Sequence, residues 1–138
     1  MDWISVLVAA VTSVLGSNDL HWAGVLGELD DVRAEAFAHR DAALLDKVYA
    51  PGSSGRTQDA SIISAYASRG ARVTGADLVL LSCTVRSSSA EQVRLDVVDQ
   101  LESSRIVWDD GTSRALPTDQ PTRRVVTLIR TRDGWRID

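Results

Sequence analysis

Apolar residues recur every three or four positions up to Gly70, and from Val79 onward they alternate one for one with polar residues. That change of period divides the chain into a helical first half and a stranded second half. Trp22, Val25, Leu26, Leu29, Val32 and Ala36 fall on one stripe, with Glu28, Asp31 and Glu35 opposite, which predicts a helix to about residue 38. Ser17, Asn18 and Asp19 are placed to cap its start. Asp41 caps a short continuation that holds Leu44, Leu45 and Val48, and residues 51–55 (Pro-Gly-Ser-Ser-Gly) form a loop. A further helix begins at Thr57 or Asp59, turns Ile62, Ile63 and Tyr66 inward, and stops at Gly70, the position of a C-cap glycine.

In the second half, Val79, Leu81, Cys83 and Val85 alternate with Leu80, Ser82, Thr84 and Arg86. After a turn at residues 87–90, Val93, Leu95, Val97 and Leu101 alternate with Gln92, Arg94 and Asp96. Ser103 and Ser104 bend the chain before residues 105–108, and Asp109-Asp110-Gly111 is a hairpin turn. Residues 112–116, 123–131 and 135–137 complete the strands, with Asp133-Gly134 as the last turn. Helices followed by an antiparallel meander read as α+β, with the helices on one face of a curved sheet.

The first sixteen residues stand apart. Between Trp3 and Leu15 the only polar side chains are Ser5, Thr12 and Ser13. As a helix this stretch spans about 20 Å, short of the ~30 Å bilayer core. It also lacks the positive n-region of a secretory signal. Its amphipathic pattern leaves two readings: a helix packed on the domain or on a partner chain, or the end of a membrane anchor that begins upstream. The chain is accordingly divided into an apolar attachment or packing helix, 1–16, and a globular domain, 17–138. Membrane proximity through residues 3–15 is one expectation, and location in the cytoplasm or at a membrane stays open.

The 138 residues carry fifteen basic and nineteen acidic side chains, a net charge of −4, which argues against nucleic acid as a partner. The charge is uneven. Residues 1–69 hold nine acids against five bases, and residues 70–138 hold ten of each. One cysteine and two histidines exclude an internal disulfide and the common zinc sets. No nucleophile elbow, zinc-protease helix or dinucleotide glycine run occurs, so neither a metal nor a cofactor is expected.

Several segments together resemble a known family. The run from Trp22 through Leu29-Asp30, Arg33-Ala34 and Ala36-Phe37-Ala38 is followed by Leu44-Leu45, Val48-Tyr49 and Pro51-Gly52-Ser53. Arg69-Gly70, Val97-Val98-Asp99, Arg124-Val125-Val126-Thr127-Leu128 and a closing Gly134-Trp135-Arg136-Ile137 come later. This pattern is similar to the nuclear transport factor 2-like, SnoaL-like superfamily over about residues 20–138. The resemblance implies a cystatin-like cone: three to four N-terminal helices in the hollow of a bent antiparallel sheet of five to six strands. It also implies an interior pocket and a tendency to dimerise. Members include isomerases, cyclases and dehydratases as well as binding domains without chemistry, so fold alone does not choose among activities.

Asp99 is the sharpest anomaly, because it sits on the inward parity of Val93, Leu95 and Val97. A carboxylate facing an apolar interior is costly unless paired or put to use. Two roles follow: a general base with a raised pKa, or a structural partner of Arg124 or Arg130. Trp22, Phe37, Tyr49 and Tyr66 are the aromatic residues the helices turn inward, as pocket lining or as core. Tyr49 is a candidate phenol beside Asp99. His21, His39 and Cys83 read as structural. The expected pocket is therefore Trp22, Phe37, Tyr49, Tyr66, Asp99 and Arg130. The function expected from these residues is binding of a small apolar ligand, or service as an accessory domain, with a homodimer mate or another protein as partner. The alternative is a small isomerase or cyclase in which Asp99 is the base and Tyr49 or an arginine polarises a carbonyl.

Overall fold

The computed structural model describes the backbone of residues 3–138 and the side chains of residues 18–138. How the side chains of the attachment segment 1–16 pack lies outside the described residues. Helix α1 runs Trp3–His39, so the break expected at residues 17–19 does not occur. Asp19 serves another purpose: its Oδ1 accepts a hydrogen bond from the backbone N–H of Val85, 2.8 Å away in the sheet. A residue type suited to an N-cap here caps a strand irregularity instead. Among the described residues, no helix is long and apolar enough to cross a membrane.

The end of α1 is built from backbone. Arg40 takes a left-handed conformation (φ 52°), its N–H bonds Phe37 O, and the next N–H, of Asp41, reaches back to Ala36 O. This is the paired 5→2 and 6→1 closure of a Schellman turn, with arginine where glycine is usual. Asp41 then caps a 3₁₀ turn, Ala42–Lys47, by accepting from Ala43 N. Helix α2 spans Ser54–Ala67, three residues earlier than the Thr57 start expected from the sequence. Gly70, at φ 67°, reverses the chain after it.

Seven strands follow: β1 Ala71–Thr74, β2 Leu78–Ser88, β3 Gln92–Leu101, β4 Arg105–Trp108, β5 Ser113–Ala115, β6 Thr122–Thr131 and β7 Gly134–Ile137. The class is α+β, helices against antiparallel sheet, as the change of period predicts. The strands form two hydrogen-bonded sheets, β2-β3-β6-β7 and β1-β4-β5, where a single sheet of five to six was expected. The division falls at residues 102–104, where Ser103 and Ser104 end β3 and the chain leaves its partner strands to pair with β1.

Strand β2 corrects a parity. Its register with β3 slips between Leu80 and Ser82. Leu78 and Leu80 are therefore half-buried and Val79 and Leu81 exposed, while beyond the slip Cys83 and Val85 turn inward. An extra residue on one strand reverses which side chains face the core. Strand β3 keeps strict alternation, with Val93, Leu95, Val97 and Asp99 all buried. Leu26 of α1, Leu45 of the 3₁₀ turn, Leu95 of β3 and Leu128 of β6 are fully enclosed and join the helical and sheet layers into one core.

Candidate functional site

An open cleft of about 650 Å³ lies between α1, α2 and the inner faces of β3 and β6. Residues 48–50 thread its base: Ala50 N–H bonds Ile137 O, and Ile137 N–H bonds Val48 O. This backbone pairing fixes Tyr49 beneath α2. The first turn of α2 then lies on the Tyr49 ring at Gly55, where a Cβ would come within 2.7 Å of the ring edge. Glycine is required there for close approach, not for its backbone angles.

Three buried aspartates line the cleft: Asp30, Asp59 and Asp99, none more than 7% exposed. Two of them are neutralised by arginine. Arg33 grips Asp59 with both ends of its fork, Nε to Oδ2 at 2.6 Å and Nη2 to Oδ1 at 3.0 Å. The Tyr49 hydroxyl donates to the same Oδ2 at 2.5 Å. Burial opposes the charge on Arg33, yet the hydrogen bonds and charge of Asp59 outweigh it and raise the guanidinium pKa above its usual range. Burial, reinforced by the hydrogen bond to Asp59, pushes the Tyr49 phenol up to about 12. Arg33 also stacks over Phe37, one turn along α1, 4.9 Å from the ring centre.

On the sheet side, Asp99 pairs with Arg124, as one of its two expected roles requires. Asp99 faces Thr122 across the β3–β6 ladder and Arg124 faces Val97, so the pair is diagonal. Arg124 brings Nε to 2.8 Å and Nη2 to 2.7 Å of one oxygen, Oδ2. The Nη2 approach is close enough for charge attraction but is off-line for a hydrogen bond, and that buried nitrogen has no other partner.

Asp30 is different. It is 7% exposed, lines the cleft, and makes no hydrogen bond or ion pair to any described residue. Burial pushes its pKa up to about 6, although the charges of Arg124 and then Arg33 pull it down; Asp99 and Asp31 add to the rise. A carboxyl group in this setting titrates close to physiological pH.

Of the expected pocket residues, Phe37, Tyr49, Tyr66 and Asp99 line the cleft. Trp22 does not, because it is packed edge-on against Trp135 in the core, 4.8 Å between ring centres. Arg130 does not either. It shares Arg124's parity but lies six residues on, about 20 Å along the strand, where its side chain is exposed. Tyr49 is spent on Asp59 and not on Asp99. Cys83 is a buried free thiol whose pKa is raised by burial. The sequence reading did not single out Asp30, Arg33 or Asp59 as site residues. The signal was present: Asp30 and Arg33 stand four and seven residues after Leu26, on the apolar stripe that ends at Phe37.

No family model matches the chain, and no curated protein matches it. Among solved structures it is similar to the intermembrane space region of the chloroplast protein ARC6, with a TM-score of 0.56 and 14% identity. The match covers 86% of this chain and 91% of that one. At that identity the likeness is one of fold alone.

Proposed function

We propose that the chain is a non-catalytic ligand-binding domain of the SnoaL-like type, a cystatin-like cone whose hollow takes a small, largely apolar molecule. The observation that carries this reading is the cleft itself. Its walls include Ile62, Tyr66, Leu116 and Val126, while Asp99 and Tyr49, the base and the phenol that the sequence offers for a catalytic role, are held by Arg124 and Asp59. A neutral apolar fluorophore, N-phenyl-1-naphthylamine, is the test. It is expected to bind once per chain with a rise in emission. Ile62→Trp, a change at an exposed position on the cleft wall, is expected to abolish the signal without lowering thermal stability. Absence of binding in the native chain, or undiminished binding in Ile62→Trp, overturns the reading.

The segment 1–16 attaches this domain to a membrane, to a second copy or to another protein. Its apolar face, with Leu7, Val11 and Val14, supports that role. The intact chain is expected to float with lipid vesicles or to self-associate in sedimentation, and the Leu7→Asp, Val11→Asp double variant to do neither. Identical behaviour of the two removes the attachment role.

A second reading, a small isomerase or cyclase with Asp99 as base, is favoured by one observation. Asp99 lines the cleft, and its Oδ1 has no hydrogen bond to a described residue. Proton abstraction from a carbon acid that stops in Asp99→Asn, with folding retained, is its requirement.

A further inference from the structure

We infer that the cleft selects an apolar molecule bearing a protonated amine, and that Asp30 is its counter-ion. The inference rests on the ligand-binding reading and adds the chemical class of the ligand.

The argument starts from an imbalance of charge. A buried carboxylate without a partner is a standing cost, and protein interiors rarely tolerate one without a use. Arg33 and Arg124 are the only cationic side chains lining the cleft among the described residues. Each is committed elsewhere, Arg33 to both oxygens of Asp59 and Arg124 to Oδ2 of Asp99. The two pairs cancel, and Asp30 remains as a single negative charge enclosed between them. The other titratable groups facing this volume do not neutralise it. Tyr49 donates to Asp59, the Tyr66 phenol carries no positive charge, and Asp119 and Asp138 at the rim are acidic and exposed, as is Asp31 next to Asp30 but outside the cleft lining. An anionic ligand therefore meets the Asp30 carboxylate and two guanidiniums whose charge is already balanced, with Arg124 Nη2 their one buried donor left over. A cationic nitrogen gains a charge-assisted hydrogen bond to a carboxylate that is itself buried, where such bonds are stronger than in water. Ile62, Leu116 and Val126 supply the apolar contact for the rest of the molecule.

Selectivity then depends on pH in a definite direction. Asp30, with its pKa near 6, is ionised at pH 7.5 and protonated at pH 5. Amine binding weakens as pH falls through that range.

Three isosteric probes test the inference by calorimetry at pH 7.5: 1-naphthylmethylamine, 1-naphthalenemethanol and 1-naphthoic acid. The amine is expected to bind at least about tenfold more tightly than the alcohol, the ratio that a hydrogen bond to a charged group confers. The acid is expected to bind more weakly than either. At pH 5 the advantage of the amine shrinks. In Asp30→Asn, with folding checked by thermal unfolding, the tenfold advantage of the amine over the alcohol is lost. If the alcohol or the acid matches the amine on the native chain, or if Asp30→Asn keeps the preference, the inference fails while the ligand-binding reading stands. If none of the three binds while N-phenyl-1-naphthylamine does, the inference fails alone; if that fluorophore does not bind either, the ligand-binding reading itself fails.

Discussion

The helical and sheet walls of the cleft each bury one aspartate against one arginine, and the two pairs are not built alike. On the helical wall, Arg33 meets Asp59 fork to fork with Tyr49 as a third donor. On the sheet wall, Arg124 reaches diagonally across a ladder and crowds two nitrogens onto one oxygen of Asp99. The helices set the angle between donor and acceptor freely, because α1 and α2 are separate bodies. A β-ladder fixes both Cα positions, and the side chains must span the diagonal as they can. Bidentate geometry satisfies both carboxylate oxygens, whereas the diagonal pair leaves Asp99 Oδ1 without a described partner.

The largest expected effect follows from that difference. Arg33→Leu leaves Asp59 buried and uncompensated, and is expected to cost roughly 3–5 kcal/mol in urea unfolding at pH 8. Arg124→Leu is expected to cost less, about 1–3 kcal/mol, because its carboxylate partner already lacks full pairing and its own side chain is one-third exposed. Equal losses from the two substitutions break the comparison.

Asp30 sharpens it from the other direction, being the buried carboxyl that neither wall neutralises. A pKa raised to about 6 means that the folded state binds a proton that the unfolded state releases near pH 4. Stability from this group is therefore present at low pH and lost as pH rises through 6, amounting to about 3 kcal/mol at neutral pH. Asp30→Asn is expected to be more stable than the native chain at pH 8, by up to that amount, and to lose the advantage by pH 4. Thermal unfolding of both chains across this range reads the difference, and parallel curves refute the assignment.

How much of this was legible in the sequence depends on whether local pattern or tertiary contact decided each feature. Strict alternation in β3 placed Asp99 inward, and the structure agrees because β3 is flanked on both sides by β2 and β6 and has no slip in its own interior. In strand β2 simple alternation puts Val79 and Leu81 on one face with Cys83 and Val85, and the structure separates them, because a bulge is a property of the pairing and not of one strand. The unbroken α1 shows the same limit. Ser17, Asn18 and Asp19 carry cap chemistry, but Asp19 had a better acceptor role toward Val85, 66 residues away. In the site, parity and charge narrowed the structural partner of Asp99 to Arg124 or Arg130, and the β3–β6 register chose Arg124. Asp59 was read only as a helix-start residue, since its partners come from two other segments. Asp30 was hidden differently. It shares its stripe with Arg33 between Leu26 and Phe37, and an acid and a base at that spacing pass for a solvated pair on the helix edge until Asp30 is seen to be buried and Arg33 to be paired with Asp59.

The smallest effect tests the third donor on the helical wall. Tyr49→Phe removes the hydroxyl from Asp59 Oδ2 but keeps the ring that α2 packs upon at Gly55. The carboxylate retains both bonds from Arg33, so no charge is left uncompensated, and the expected loss is about 1 kcal/mol. The same substitution in an Arg33→Lys background is expected to cost more. A lysine ammonium keeps the charge but cannot hold both oxygens, and the phenol then carries a larger share of the carboxylate's hydrogen bonding. A double-mutant cycle reads that excess as coupling. Strict additivity of Tyr49→Phe and Arg33→Lys means that Tyr49 and Arg33 act on Asp59 independently, and the helical wall then loses the cooperativity that separates it from the sheet wall.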